Sequence, residues 1–174
     1  AEEFIRDGIP VPPEYDYVRP MLEQLNQIPG VKYCEYEMGL REDLTPCGFH
    51  DEDRWWRGIA DLLIINEEEG FAYSLDYKTS KSARYADVKQ LDLVACGLFA
   101  KFPEIKRVRS ALIFTVSKEF VGAEHYAEMM PKYIEKPSQD VARIEAALKN
   151  GVWNPIQGPL CKFCAVKTCE YNRS

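Results

Sequence analysis

Apolar residues along this chain fall into runs of three kinds, and each kind predicts a different element. Arg57–Ile65 and Phe71–Thr79 are short, nearly continuous apolar runs that read as buried strands. Between them Glu67-Glu68-Glu69-Gly70 reads as a turn, so the two strands pair as a hairpin. Val31–Leu40 alternates, with Tyr33, Glu35 and Glu37 on one face and Cys34, Tyr36 and Met38 on the other, and reads as the first strand. Arg107–Val116, with its run Ala111-Leu112-Ile113-Phe114, reads as the last and central core strand. Helical spacing marks Glu14–Gln27 (Tyr17, Met21, Leu22, Leu25), closed by Pro29-Gly30. It also marks Ala83–Phe102, with a buried stripe of Val88, Leu91, Ala95, Leu98 and Phe99. Residues 1–7 read as the end of a helix stopped by Gly8 and a Pro-rich turn. Two further helices, Ala123–Ile134 and Ser138–Lys149, precede a cysteine-bearing tail. Arg41–Asp53 reads as a polar loop, and the adjacent Trp55 and Trp56 as core and rim packing.

The hairpin carries chemistry. Counting outward from its turn brings Asp61 beside Asp76, with Lys78 two residues further along the second strand. Placing such groups on an apolar sheet is costly unless they pair or bind a metal. Two adjacent carboxylates attract a hard divalent cation such as Mg²⁺ or Mn²⁺, and the Tyr77 backbone carbonyl can add a third oxygen. Lys78 can orient a water and offset charge on a phosphoryl transition state. Those parts together describe phosphodiester hydrolysis. An Asp-x-Lys tripeptide alone is weak, since a surface ion pair also contains it; the hairpin placement separates the two readings.

Asp61 followed by Asp76-Tyr77-Lys78 resembles the signature of the PD-(D/E)xK nucleases, with Ile59-Ala60 where that signature has a Pro before its first Asp. The series Gly58-Ile59-Ala60-Asp61, Leu75-Asp76-Tyr77-Lys78-Thr79 and Gln90 is similar to the RecB-type branch, with its phage and CRISPR-associated exonucleases. The resemblance implies a restriction-endonuclease-like α/β fold: a mixed β-sheet flanked by helices, here with a C-terminal helical, cysteine-bearing extension. It implies that Asp61 and Asp76 bind Mg²⁺ or Mn²⁺, that Lys78 is catalytic and that Gln90 lies beside the site. Position 94 is Val94, so the role of the family's Tyr at that point does not transfer. The implied activity is exonucleolytic cleavage of DNA, on single strands or duplex ends, in phage recombination or repair. Lys81, Arg84 and Tyr85 are candidate substrate contacts, and a recombination protein or a second copy of the chain is a candidate partner. The rival reading is a nuclease-fold module that binds DNA or protein without cutting.

Composition adds bounds. At 174 residues the chain reads as one domain: a helical part over 1–30, the core over 31–117, and C-terminal helices with the cysteine tail over 118–174. A net charge of −6 does not advertise nucleic-acid binding, although positive charge can be local (Lys78, Lys81, Arg84, Lys89, then Lys101, Lys106, Arg107, Arg109). No apolar run is long enough to span a membrane and no secretory signal is present, so a cytoplasmic location is expected, the host's if the protein is phage-encoded. The chain opens without Met and in mid-helix, which suggests a truncated or processed product.

Six cysteines without a secretory signal argue for reduced thiols. Cys161, Cys164 and Cys169 have the spacing to wrap one centre, either Zn²⁺ or a [4Fe–4S] cluster. In the family such a trio joins a cysteine upstream of an active-site His, and neither is in this chain; Glu2 or Glu3 resembles the Glu of that motif. Cys34, Cys47 or His50 could serve as the fourth zinc ligand, and a metal-free remnant is the other reading. Cys34 and Cys96 read as buried thiols, Glu35 and Glu37 as a solvated strand face, and His125 as a surface helix residue.

Overall fold

The computed structural model describes residues 1–84 and 86–172. The chain divides into two compact units, Ala1–Lys136 and Pro137–Ser174. The first is built on a mixed six-stranded sheet in the order β2-β1-β3-β4-β5-β6. Its strands are β1 (Val31–Leu40), β2 (Pro46–Cys47), β3 (Trp56–Asn66), β4 (Phe71–Lys78), β5 (Arg107–Phe114) and β6 (Glu119–Tyr126). Neighbours are antiparallel except β4 and β5, which are parallel. A parallel pair needs a crossover, and α3 (Gln90–Lys101) supplies it.

Helices cover both faces of this sheet, as the two apolar clusters require. On one face α3 buries Ala95, Leu98 and Phe99 against Met38, Leu63, Ile65 and Val108. The ring of Trp56 lies against Gly97, so closely that a Cβ there would come within 2.8 Å of it. On the other face α1 (Glu2–Asp7) and α2 (Arg19–Gln27) pack Ile5, Leu22 and Leu25 on Leu62, Ile64, Leu75 and Ile113.

Several boundaries differ from the sequence expectation. Glu14–Gln27 is not one helix: Pro13–Val18 forms a 3-10 helix, and α2 follows with Pro20 in its first turn, where a missing N–H costs nothing. Helix α3 begins at Gln90 rather than Ala83. The Asp87 carboxylate accepts the Lys89 N–H at 3.0 Å, a local bond that competes with helix propagation. Arg107–Phe114 is not the last strand. Glu119–Tyr126 forms β6 at the sheet edge, over the start of the expected Ala123–Ile134 helix. The two expected C-terminal helices are one, α4 (Met130–Asn150), with Pro137 inside it at the boundary of the two units. Within the second unit no described residue is buried, and Leu148, Trp153 and Ile156 are exposed. No described helix is long and apolar enough to cross a membrane.

The alternation of β1 also breaks. Tyr33, Tyr36 and Met38 all pack toward the α3 face, whereas Cys34 packs toward α1 and α2. The change of parity falls at Glu35, whose φ is +50°. Opposite it, β3 changes face between Ala60 and Leu62. Both irregularities sit at one level, since the pairs Cys34–Leu62 and Tyr36–Ala60 flank the gap. The residue of β3 at that gap is Asp61.

Candidate active site

The β3–β4 ladder runs from Asn66–Phe71 to Leu62–Leu75, and Asp61 and Asp76 are the next residues of the two strands, close enough for the charge of Asp76 to act on Asp61. At this point regular pairing stops. The Asp61 carboxylate takes over the role of a ladder acceptor, receiving the Tyr77 N–H on Oδ2 at 2.7 Å. Asp61 therefore holds two strands together where they part, between Glu35 on one side and Asp76 on the other.

Burial pushes the Asp61 carboxyl above its ordinary range; the Tyr77 bond opposes this, while the charge of Asp76 adds to it. The consequence for stability has a definite sign. At low pH the carboxyl is protonated folded and unfolded alike, and contributes nothing. As pH rises through the ordinary carboxylate range the unfolded chain releases this proton first, so the metal-free fold loses stability until the raised folded value is passed. In a chelator-treated sample, Asp61→Asn, which keeps an acceptor for Tyr77, is expected to gain melting temperature relative to wild type as pH rises above about 4, the ordinary carboxylate range. A difference independent of pH would contradict this origin.

Lys78 Nζ lies 2.6 Å from Asp76 Oδ2, and the two side chains keep 32% and 29% of their exposure, enough to be reached from solvent. Apart from this ion pair Asp76 Oδ2 has no partner among the described residues, and it is shut off from water. Lys78 Nζ also donates to Gln90 Oε1 at 3.2 Å. The Gln90 amide is oriented in turn, its Nε2 donating to the Asp87 carbonyl at 2.7 Å. The backbone of Lys78 is fixed as well, since its carbonyl accepts the Thr115 N–H at 2.9 Å. The structure thus brings together Asp61, Asp76, Lys78 and Gln90.

Two neighbouring carboxylates, one with a buried oxygen whose one contact is the Lys78 ammonium, fit a hard divalent cation by the chemistry of their oxygens. Lys78 and Gln90 border a cleft of about 440 Å³, and Lys81, Asp87 and Phe114 line it too. Arg84 lies on the same exposed segment, and Tyr85 falls outside the described residues. Lys106, Arg107 and Arg109 do not adjoin this cleft. They line another of about 550 Å³ toward the hairpin turn, where Arg107 and Arg109 stack over Phe71 and Arg109 pairs with Glu124. Tyr77 turns its ring to the opposite face, into the α1–α2 cluster, and burial raises its hydroxyl far above the ordinary range.

The cysteines are distributed otherwise. Among the described residues, Cys47, Asp51 and Asp53 form the group of three ligating side chains whose atoms lie within 4.8 Å of one another. Arg41 already pairs with both of those carboxylates, and the Gly48 N–H donates to Asp51. Cys161, Cys164 and Cys169 are not part of that group. Instead Cys161 Sγ accepts the Gly158 N–H, and Asn172 ties the tail by donating to the carbonyls of Cys164 and Val166. Cys96 is fully buried, Cys34 only partly, and His50 is exposed.

One polar cluster has no counterpart in the sequence reading. His125 is not on a helix surface: it lies on β6 with 1% exposure, between Ser110 and Asp92. Asp92 stands in the first turn of the helix that carries Gln90, and no spacing in the sequence ties it to His125.

No curated protein matches the chain. The family model of the PD-(D/E)XK nuclease superfamily matches residues 14–169, a span that includes Asp61, Asp76, Lys78 and Gln90, so the chain belongs to that superfamily and its mixed sheet is the restriction-endonuclease-like α/β fold.

Proposed function

We propose that this protein is a metal-dependent DNA exonuclease of the RecB-like type, acting in the cytoplasm on single strands or duplex ends. The observation that supports it most is the gap in the sheet at Asp61. There Asp61 accepts the Tyr77 N–H beside Asp76, and a lysine is held between Asp76 and Gln90. Asp61 and Asp76, with the Tyr77 carbonyl, would hold Mg²⁺ or Mn²⁺. A divalent ion in such a place acts as a Lewis acid and lowers the pKa of a bound water. Lys78 Nζ then orients the attacking water and faces the charge that develops on the phosphoryl oxygens. Gln90 Oε1 keeps that ammonium in place. Water adds to phosphorus as the ester P–O bond breaks, leaving a phosphate monoester and a free hydroxyl. Lys81 and Arg84 are positioned in sequence to meet the flanking phosphates. The Gly58–Asp61 and Leu75–Thr79 segments with Gln90 favour the RecB-like branch and hence DNA, in phage recombination or repair. No step is assigned to the cysteine trio.

The exonuclease reading is tested with Mn²⁺ on end-labelled linear DNA beside closed circular DNA, single- and double-stranded. Degradation of linear molecules only is expected. Nicking or linearisation of the circles would make the enzyme an endonuclease.

A further inference from the structure

His125 is buried with both ring nitrogens engaged. Nε2 lies 2.9 Å from Asp92 Oδ1 and Nδ1 lies 3.1 Å from Ser110 Oγ. A carboxylate only accepts, so Nε2 carries hydrogen and donates to Asp92. In the neutral ring Nδ1 then accepts from the Ser110 hydroxyl. Tyr133 closes the set, its ring edge-on to the imidazole at a centroid distance of 5.2 Å. The order Ser–His–Asp invites comparison with a nucleophile and its base, but Ser110 is 2% exposed inside a central strand. No substrate atom reaches it.

The network has another use, because Asp92 is in the first turn of α3. That helix has no side-chain cap: Lys89 at its N-cap makes no capping hydrogen bond. Its start is held by Leu91 in the core, by the Asp87–Lys89 turn, and by the bond from His125 to Asp92. Gln90 shares that turn and meets Lys78 through Oε1. The edge strand β6, the crossover helix and the Lys78 side chain thus form one chain of contacts.

We propose that His125, acting through Asp92, is a positioning residue: it sets the start of α3 so that Gln90 holds Lys78 in its reactive place. The proposal rests on the nuclease reading for its kinetic consequence, though not for the contact itself. A displacement of about 1 Å at a reacting group can cost up to about 100-fold in rate.

The test uses Asp92→Ala rather than a His125 variant, since the Asp92 side chain is 30% exposed and its loss leaves the fold less at risk. The single-turnover cleavage rate is expected to fall about 10-fold with KM for DNA little changed, and Asp92→Asn, which keeps an acceptor for Nε2, to recover most of it. In a Gln90→Ala background the same Asp92→Ala change is expected to cost nothing more, because the intermediary is gone. Equal losses in both backgrounds, or a wild-type rate for Asp92→Ala, would overturn the proposal. The ammonium resonance of Lys78, followed by ¹⁵N NMR in wild type and Asp92→Ala, reads the coupling without turnover. It is expected to shift in the variant, and an unmoved signal overturns the proposal even if the wild type proves inert. An inert wild type with a shifted signal would instead sink the nuclease reading and leave the coupling standing.

Discussion

Replacing Lys78 by Ala is expected to lower DNA cleavage by at least about 100-fold while the protein stays folded and still binds Mn²⁺. The side chain is a third exposed and belongs to none of the apolar clusters, so little packing is lost with it. What is lost is the one ammonium within reach of Asp76 among the described residues. In the metal-free protein this leaves Asp76 Oδ2 buried and uncompensated beside Asp61, so the variant should melt below wild type with chelator present. A bound divalent ion supplies the missing positive charge and should close most of that gap. Lys78→Arg is not expected to restore the rate, because a planar guanidinium cannot place one point charge where Gln90 Oε1 and Asp76 Oδ2 converge. The comparison is made by single-turnover cleavage alongside thermal melts with and without Mn²⁺. Cleavage by Lys78→Ala within a few-fold of wild type would remove the lysine from the chemistry.

The second large effect is expected at Asp76. Asp76→Ala removes one of the two neighbouring carboxylates, and Mn²⁺ affinity should fall by more than the roughly 10–100-fold that loss of a mere supporting group costs. Cleavage should fall with it. The same change relieves Asp61 of a neighbouring negative charge, so its carboxyl should move back toward the ordinary range. Calorimetric Mn²⁺ titration of both proteins checks the first effect. Unchanged affinity would place the metal elsewhere, and the Cys47–Asp51–Asp53 group would be the next place to look.

Much of this site was legible in the chain because the relevant geometry is local. A turn at Glu67–Gly70 fixes the register of the hairpin up to Leu62–Leu75, and the next residues of the two strands are Asp61 and Asp76. Strand periodicity then puts Lys78 on the same face as Asp76. What local periodicity could not supply is the break at Glu35 and Asp61. A positive φ at a glutamate carries no sequence signal, yet it flips the faces of β1 and opens the ladder where Asp61 reaches Tyr77.

Other departures have similar causes. Strand β6 turns Val121, Ala123 and His125 inward and exposes Phe120, so its small, mixed inner face does not read as a strand, and the Ala-Glu-Met that follows reads as helix. Pro137 costs a helix interior about 3 kcal/mol, reason enough to expect two helices where α4 is continuous. His125 defeated local reading altogether. Its partners Ser110 and Asp92 are brought to it by strand pairing and by the crossover, neither of which leaves a spacing to count.

Asp61, Asp76 and Lys78 are proposed to act as one hydrolytic site. The most direct test is a single time course on end-labelled linear DNA with Mn²⁺, comparing wild type, Asp76→Ala and Lys78→Ala at equal folded concentration. Degradation by wild type alone is expected, with Lys78→Ala inert although it binds Mn²⁺ and Asp76→Ala inert because it does not. A wild type that binds Mn²⁺ and DNA and leaves the DNA intact would contradict this proposal.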